Sequence, residues 1–318
     1  MNEPLLEIKG LKKYFPIGRN AKGGSVKAVD DVNLTLYEGE TLGIVGESGC
    51  GKSTVGRLVL RLLDPTAGDI RFGGVSIGHL SQRQLRPLRK DMQCVFQDPY
   101  ASLNPRMSVG SAIAEPLVIQ GGRSRKEAMK EAESLLETVG LSAQAAQLYP
   151  HEFSGGQRQR IAIARAISLD PKMIVADEAV SALDVSIQAQ IVNLLGSLQK
   201  RTRVSYLFVS HNLSIVRNIS DRVAVMYLGR IVEMGSRDSL FAEPLHPYTQ
   251  ALLSSVPEPD VDSKRERIVL KGEVPNAANP PAGCPFHPRC PYATERCAVE
   301  RPEFREVKPG HFASCHFA

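Results

Sequence analysis

The stretch Gly46-Glu47-Ser48-Gly49-Cys50-Gly51-Lys52-Ser53-Thr54 constrains this chain more than any other. Its glycines let successive backbone N–H groups curl around a phosphate, where larger side chains would obstruct them. Lys52 can reach the β- and γ-phosphates of a nucleoside triphosphate, and the Ser53 hydroxyl can ligate the Mg2+ that travels with them. The flanks agree. Thr41-Leu42-Gly43-Ile44-Val45 reads as a short buried strand, and Thr54 to Leu63 as a helix whose N-terminus favours an anion. A glycine-rich turn with an incidental lysine would not bring strand, loop and helix in register. The run predicts a nucleotide site and leaves open what the nucleotide is used for.

At 318 residues, 42% apolar and 23% charged, the chain has room for a substantial α/β core and a second, smaller unit. A net charge of +5 suits an anionic membrane surface but is too weak to argue for nucleic acid. The N-terminus lacks a basic-then-apolar signal, and no apolar run is long enough to span a bilayer. The expectation is a peripheral role, if any, on the cytoplasmic face of the cell membrane, where ATP is available.

Alternating strands are predicted at Leu6 to Leu11 and Val26 to Leu36, separated by a polar, glycine-rich excursion from Gly18 to Gly24. Met92 to Phe96, Met173 to Asp177 and Val204 to Val209 read as apolar strands of a parallel sheet. Between the first two, the period changes to that of helices. A helical subdomain is therefore expected at about 100–165, inserted in a domain spanning 1–243. Asp221 to Tyr227 and Arg230 to Met234 read as a hairpin about Leu228-Gly229. A proline-rich, charged linker follows at Val256 to Arg267, and the tail shows few helix signals.

Several polar residues fall at strand ends, where ligands sit in such folds. Asp177 can hold the Mg2+ shell, and Glu178 can polarise the water that attacks the γ-phosphate. Gln97 ends another strand, where its amide can touch the metal or that water. His211 follows Val209-Ser210 and can contact the γ-phosphate or orient Glu178; a solvent-facing cap fits its position equally well. Ser154-Gly155-Gly156-Gln157 precedes a helix, with Ser154 as N-cap and exposed N–H groups behind it, a second anion site. Two copies facing head to tail would let that site complete the partner's phosphate loop.

Taken together, these segments resemble the ATP-binding subunits of ABC transporters. Residues 46–54 match the Walker A loop, Gln97 the Q-loop, and residues 154–157 the signature motif. Val175-Ala176-Asp177 with Glu178 matches Walker B and the catalytic glutamate, Ser181 to Asp184 the D-loop, and His211 the switch histidine. Tyr14 resembles the aromatic that stacks on adenine. Phe153 stands where leucine is usual, and Ala179-Val180 replaces Pro-Thr; neither removes a ligand. The resemblance implies an α/β P-loop NTPase of the ABC type, with antiparallel strands in its core lobe.

Of six cysteines, Cys284, Cys290, Cys297 and Cys315 crowd into the tail, whereas Cys50 and Cys94 are isolated. In a reducing compartment such a cluster argues for a tetrahedral S4 metal centre before disulfides. The spacing leaves zinc and a [4Fe–4S] cluster nearly even. His287, His311 and His316 are read as surface or outer residues. The tail from 244 to 318 also resembles the C-terminal extension of oligopeptide/dipeptide-importer ATPases, through His246-Pro247-Tyr248-Thr249 and Cys284-Pro285-Phe286-His287-Pro288-Arg289-Cys290. That resemblance favours [4Fe–4S], with zinc as the runner-up.

The resemblance implies an ATPase that powers dipeptide or oligopeptide import. It also implies a paralogous ATPase as head-to-tail heterodimer partner, two integral membrane permeases, an extracytoplasmic peptide-binding protein, and no nucleic acid. The surface from Gln97 to Arg106 is the expected permease contact. Related importers of nickel or glutathione are the alternative. A soluble ABC ATPase of DNA repair fits less well, because no heptad run separates Lys52 from Asp177, and a translation-associated one because such proteins normally carry two ATPase halves in one chain and no such tail.

Overall fold

The computed structural model describes residues 3–18, 24–255 and 268–318. The middle of the glycine-rich excursion, 19–23, and the linker expected at 256–267 lie outside the described residues. Two compact units emerge. One is built chiefly from Leu36–Thr41 and His79–Val209, the other from Pro4–Thr35, Leu42–Gly78 and Ser210–Ala318.

In the first unit, Met92–Phe96, Met173–Asp177 and Ser205–Val209 run parallel, with Phe96 opposite Asp177 and Asp177 opposite Val209. Every residue of the last two strands is buried. This is why they read as unbroken apolar runs rather than as alternation. The helices Val109–Ile119, Arg125–Thr138 and Gly155–Ile167 follow the predicted change of period. Serines cap all three: Ser108, Ser124 and Ser154 each accept from an N–H of the first turn.

The second unit holds an antiparallel sheet in the order Ser25–Tyr37, Pro4–Pro16, Ala67–Phe72, Val75–Ser76. It also holds Thr41–Val45, which runs parallel to Arg222–Tyr227 with Ile44 opposite Ala224. Arg222–Tyr227 and Arg230–Ser236 form the expected hairpin. Its turn residues Leu228 and Gly229 have φ 43° and 77°, a pair that favours a tight hairpin turn. The helix after the phosphate loop is shorter than predicted, Lys52–Val59, and Arg61 then takes a left-handed φ of 52°.

The tail is the largest departure from the sequence reading. Its sequence showed few helix signals, and it is held by strand pairing and burial. Arg305–Lys308 and His311–Ala313 form a hairpin, and Glu233 pairs with Ala313 and Met234 with Phe312 on the strand Arg230–Ser236. Phe286 is almost wholly buried against Tyr227, Tyr248 and His246, at ring distances of 5.3, 5.5 and 5.5 Å. Burying one such phenyl ring contributes about 1.5–3 kcal/mol. Glu233, with no exposure, accepts from the Leu245 and His246 amides and pairs with His311 Nε2 at 2.8 Å. His311 is therefore a buried structural residue, neither at the surface nor behind a metal ligand.

The metal centre is corrected outright. Among the described residues, no group of three or more His, Cys, Asp or Glu is arranged to hold a metal ion, and Cys284, Cys290, Cys297 and Cys315 are free thiols. Neither the [4Fe–4S] cluster nor zinc fits. Burial pushes the Cys284 thiol up to about 11 and raises those of Cys290 and Cys315, so these groups stand as protonated, packed thiols. The sulfurs also have local partners: Thr294 Oγ1 lies 3.5 Å from Cys297 Sγ, and the Phe317 amide donates to Cys315 Sγ at 3.4 Å. The cysteines instead join backbone, with the Cys284 N–H donating to the Cys297 carbonyl at 2.8 Å.

Candidate active site

The second unit carries the phosphate loop and His211; the first carries Gln97, Asp177, Glu178 and Ser154 to Gln157.

In the loop, Gly46, Gly49 and Gly51 have φ of 154°, 79° and 110°. Two of these glycines are required twice over. A Cβ on Gly46 would sit 2.2 Å from the Met226 carbonyl oxygen, and one on Gly51 2.1 Å from that of Ala28. The loop is thus walled by backbone. Lys52, 4% exposed, turns its ammonium back onto the carbonyls of Gly46 and Glu47, both at 2.8 Å. Its helix begins without a side-chain cap and without an acid in the first turn, so no acidic side chain of that turn offsets the positive end of its dipole. Ser53 lies in that first turn. Cys50 is buried, and burial raises its thiol; its carbonyl accepts the Gly229 N–H at 2.9 Å. The Glu47 amide donates to the Tyr248 hydroxyl at 2.8 Å. Gly51→Ala is expected to destabilise the chain by roughly 3 kcal/mol, combining the left-handed φ with the carbonyl clash. A denaturant titration against the unaltered chain measures it, and a loss under 1 kcal/mol would contradict the geometry.

Tyr14 ends the strand Pro4–Pro16, half-buried, with its hydroxyl donating to Asp30 Oδ1 at 2.5 Å. Arg230 grips the other oxygen of Asp30 at 2.6 and 2.9 Å. Burial, then the Asp30 hydrogen bond, pushes the Tyr14 phenol up to about 12. The ring is thus fixed by a phenol–carboxylate–guanidinium chain that sequence inspection missed.

His211 is exposed in the turn before the helix Leu213–Ile219. Asn212 does the capping, accepting from Ser214 and Ile215.

In the first unit, the strand register sets Gln97 just beyond Phe96, beside Asp177 and Glu178 at the ends of adjacent strands. Asp177 is buried; Glu178 follows in the left-handed region, φ 50°. That conformation is uncommon for a glutamate and costs about 1–2 kcal/mol. It is held by the Glu178 amide donating to the Val209 carbonyl at 2.9 Å, and by the Ser181 amide and hydroxyl donating to the Glu178 carbonyl at 3.1 and 3.0 Å. The D-loop serine therefore braces the expected catalytic glutamate.

Ser154 and Gln157 form a reciprocal capping box at the start of Gly155–Ile167. A Cβ on Gly156 would strike Ile187 Cγ2 at 2.5 Å, so the helix start packs directly on the helix Val185–Thr202. The same helix grips the segment after Gln97: the Arg158 guanidinium stacks 3.6 Å from the Tyr100 ring, and Arg165 donates to the Ser102 carbonyl at 2.8 Å.

Residues 29–181 match the family model described as ABC transporter, and residues 232–297 the one described as oligopeptide/dipeptide transporter, C-terminal region. The oligopeptide transport ATP-binding protein AppF of Bacillus subtilis (strain 168) is 57% identical over 320 residues, covering 99% of this chain and 97% of that protein. The chain belongs to the ABC transporter ATP-binding family, in its oligopeptide/dipeptide branch. The putative oligopeptide transport ATP-binding protein YkfD of the same organism is 52% identical over 98% of this chain and 95% of its own length. Among solved structures, the ATP-binding cassette MJ0796, a dimer in a post-hydrolysis state with ADP and Pi, has a TM-score of 0.66 at 29% identity. It covers 73% of this chain and 98% of the cassette. CbiO1 of Clostridium perfringens gives 0.67 at 28%, over 76% and 92%. The fold of this family member is that of ABC ATPases, an α/β P-loop fold with sheet and helical lobes. Its activity is that of an ABC-type ATPase. No helix among the described residues is long and apolar enough to cross a membrane.

Proposed function

We propose that this chain hydrolyses ATP to power import of oligopeptides or dipeptides as a subunit of an ABC transporter. The observation that carries it is 57% identity, over nearly the whole of both chains, to an oligopeptide transport ATP-binding protein. ATP binds on residues 46–54, with Lys52 on its phosphates. Ser53, Asp177 and Gln97 are oxygen donors of the kind that suit the nucleotide's Mg2+, which supplies charge neutralisation at the phosphates. Glu178 takes the proton of the attacking water, and His211 holds the γ-phosphate side of the site. Tyr14 packs on the adenine. Residues 1–243 serve as the nucleotide-binding domain and 244–318 as its extension.

Ser154 to Gln157 act across a dimer, on the nucleotide held by a paralogous ATPase. Closure of the pair around ATP drives two permeases that contact the surface from Gln97 to Arg106, at the cytoplasmic face. A peptide-binding protein delivers cargo from the far side.

Affinity isolation of the membrane complex through this chain tests the reading. The expected result is co-purification of a second ATPase and two integral membrane proteins, with ATPase activity stimulated by peptide-loaded binding protein. Recovery without membrane proteins, or stimulation only by a cargo other than peptide, would overturn it.

A further inference from the structure

Arg289 belongs to the tail, yet its guanidinium ends on the phosphate loop. Nη1 donates to Glu47 Oε2 at 2.7 Å and Nη2 to Glu47 Oε1 at 2.9 Å, a bidentate pairing of two planar groups. The arginine side chain is 7% exposed and the glutamate's 26%, so solvent and salt screen the pair only partly. The guanidinium is also 5.9 Å from the centre of the Tyr227 ring, on which Phe286 packs edge-on. The Glu47 amide meanwhile is taken by Tyr248. Both ends of Glu47 are therefore held from outside the loop, by residues more than two hundred positions further along the chain.

The chemistry of the loop makes this pairing consequential. A site that gathers N–H groups, a helix N-terminus and Lys52 for a polyanion carries, at its second residue, a carboxylate of the wrong sign. Left unpaired, that carboxylate repels the phosphates through a poorly screened medium. We infer that Arg289 is a positioning residue for ATP binding: it neutralises the Glu47 carboxylate and pins it in place, so that the loop meets the triphosphate without an opposing charge. The inference rests on the nucleotide reading of residues 46–54 given above. It makes the extension a working part of the nucleotide site.

The test uses the full-length chain, with equilibrium binding of Mg·ATP, and the assembled transporter for kinetics. Arg289→Met is expected to raise the Kd and KM for ATP about tenfold with kcat within about twofold, because the loss is in binding. Adding Glu47→Gln to Arg289→Met should restore most of the affinity, since the unpaired charge is then gone. Raising salt from roughly 50 to 300 mM should shrink the Arg289→Met penalty. Arg289→Lys, a point charge that cannot pair in bidentate fashion, should fall between, at about threefold. An arginine that merely glues the tail in place would give a double variant as weak as Arg289→Met or weaker, and that result overturns the inference. So does an unchanged Kd. Should Arg289→Met fail to fold, Arg289→Lys decides: a raised Kd restored by Glu47→Gln supports the inference, and an unaltered one refutes it. If the unaltered chain binds no ATP, the nucleotide reading falls and this inference with it. ATP binding indifferent to the pair overturns the inference alone.

Discussion

Glu178→Gln is expected to lower kcat for ATP hydrolysis by roughly 10²–10³-fold in the assembled transporter, with ATP binding retained. Glutamine preserves the shape and the backbone bonds of position 178: the amide to Val209 and the carbonyl that receives Ser181. What it removes is the basicity needed to take a proton from the attacking water. Because the substitution leaves the phosphate loop untouched, the loss should fall on kcat and not on the Kd for ATP, and the closed, ATP-loaded dimer should accumulate. Steady-state ATPase assays and nucleotide binding on the same preparation separate the two. Retention of more than a tenth of the activity would show that another group acts as the base.

Glu233→Ala is expected to cost about 3–5 kcal/mol of stability, because it strips a buried hydrogen-bond partner from three groups at about 1–3 kcal/mol each. The carboxylate serves three donors at once: the Leu245 and His246 amides and His311 Nε2. None of these regains water when the carboxylate is deleted, so each keeps its desolvation cost without a partner. His246 sharpens the point. Burial pushes its imidazole down to about 4, and the neutral ring accepts the Tyr248 amide at Nδ1, which sets the helix Pro247–Ser254. Loss of Glu233 should loosen that helix start together with the tail hairpin. Chemical denaturation of the full chain measures the effect; Glu233→Gln, which keeps one acceptor, should lose less. A cost below 1 kcal/mol would mean that the tail is held by its apolar contacts alone.

Much of the nucleotide-binding part was legible from the chain because its signals are local. Glycines at 46, 49 and 51, an apolar strand ending in Asp177-Glu178, and the Ser154/Gln157 pair each announce their structure within a few residues. The parallel strands were readable for the same reason: burial on both faces leaves continuous apolar runs. The tail was recognised as an oligopeptide/dipeptide-transporter extension, but what holds it was not legible, because those interactions are distant in sequence. Nothing around His311 points to Glu233, and nothing around Arg289 points to Glu47. The cysteines supplied the strongest visible pattern there, and it led to a metal centre that the arrangement of the thiols does not support. Spacing along a chain specifies ligands only where the ligands lie close together in it. With intervals as long as that from Cys297 to Cys315, the backbone path decides, and here it directs the sulfurs to local partners. Tyr14 shows the same limit on a smaller scale: an aromatic at a strand end was visible, whereas its anchoring through Asp30 to Arg230 was not.

The walls of the phosphate loop have a consequence for how the chain is made. Residues 46–54 leave the ribosome early, yet what shapes them arrives late. The amide of Glu47 waits for a hydroxyl 201 residues downstream and its carboxylate for a guanidinium 242 residues downstream, while the carbonyl of Cys50 waits for Gly229. Contacts of such separation form only after long stretches of chain have been ordered. During synthesis the nascent protein therefore carries its complete nucleotide-binding sequence without a finished nucleotide site. The contacts that shape the loop are completed only once Gly229, Tyr248 and Arg289 are all available to it.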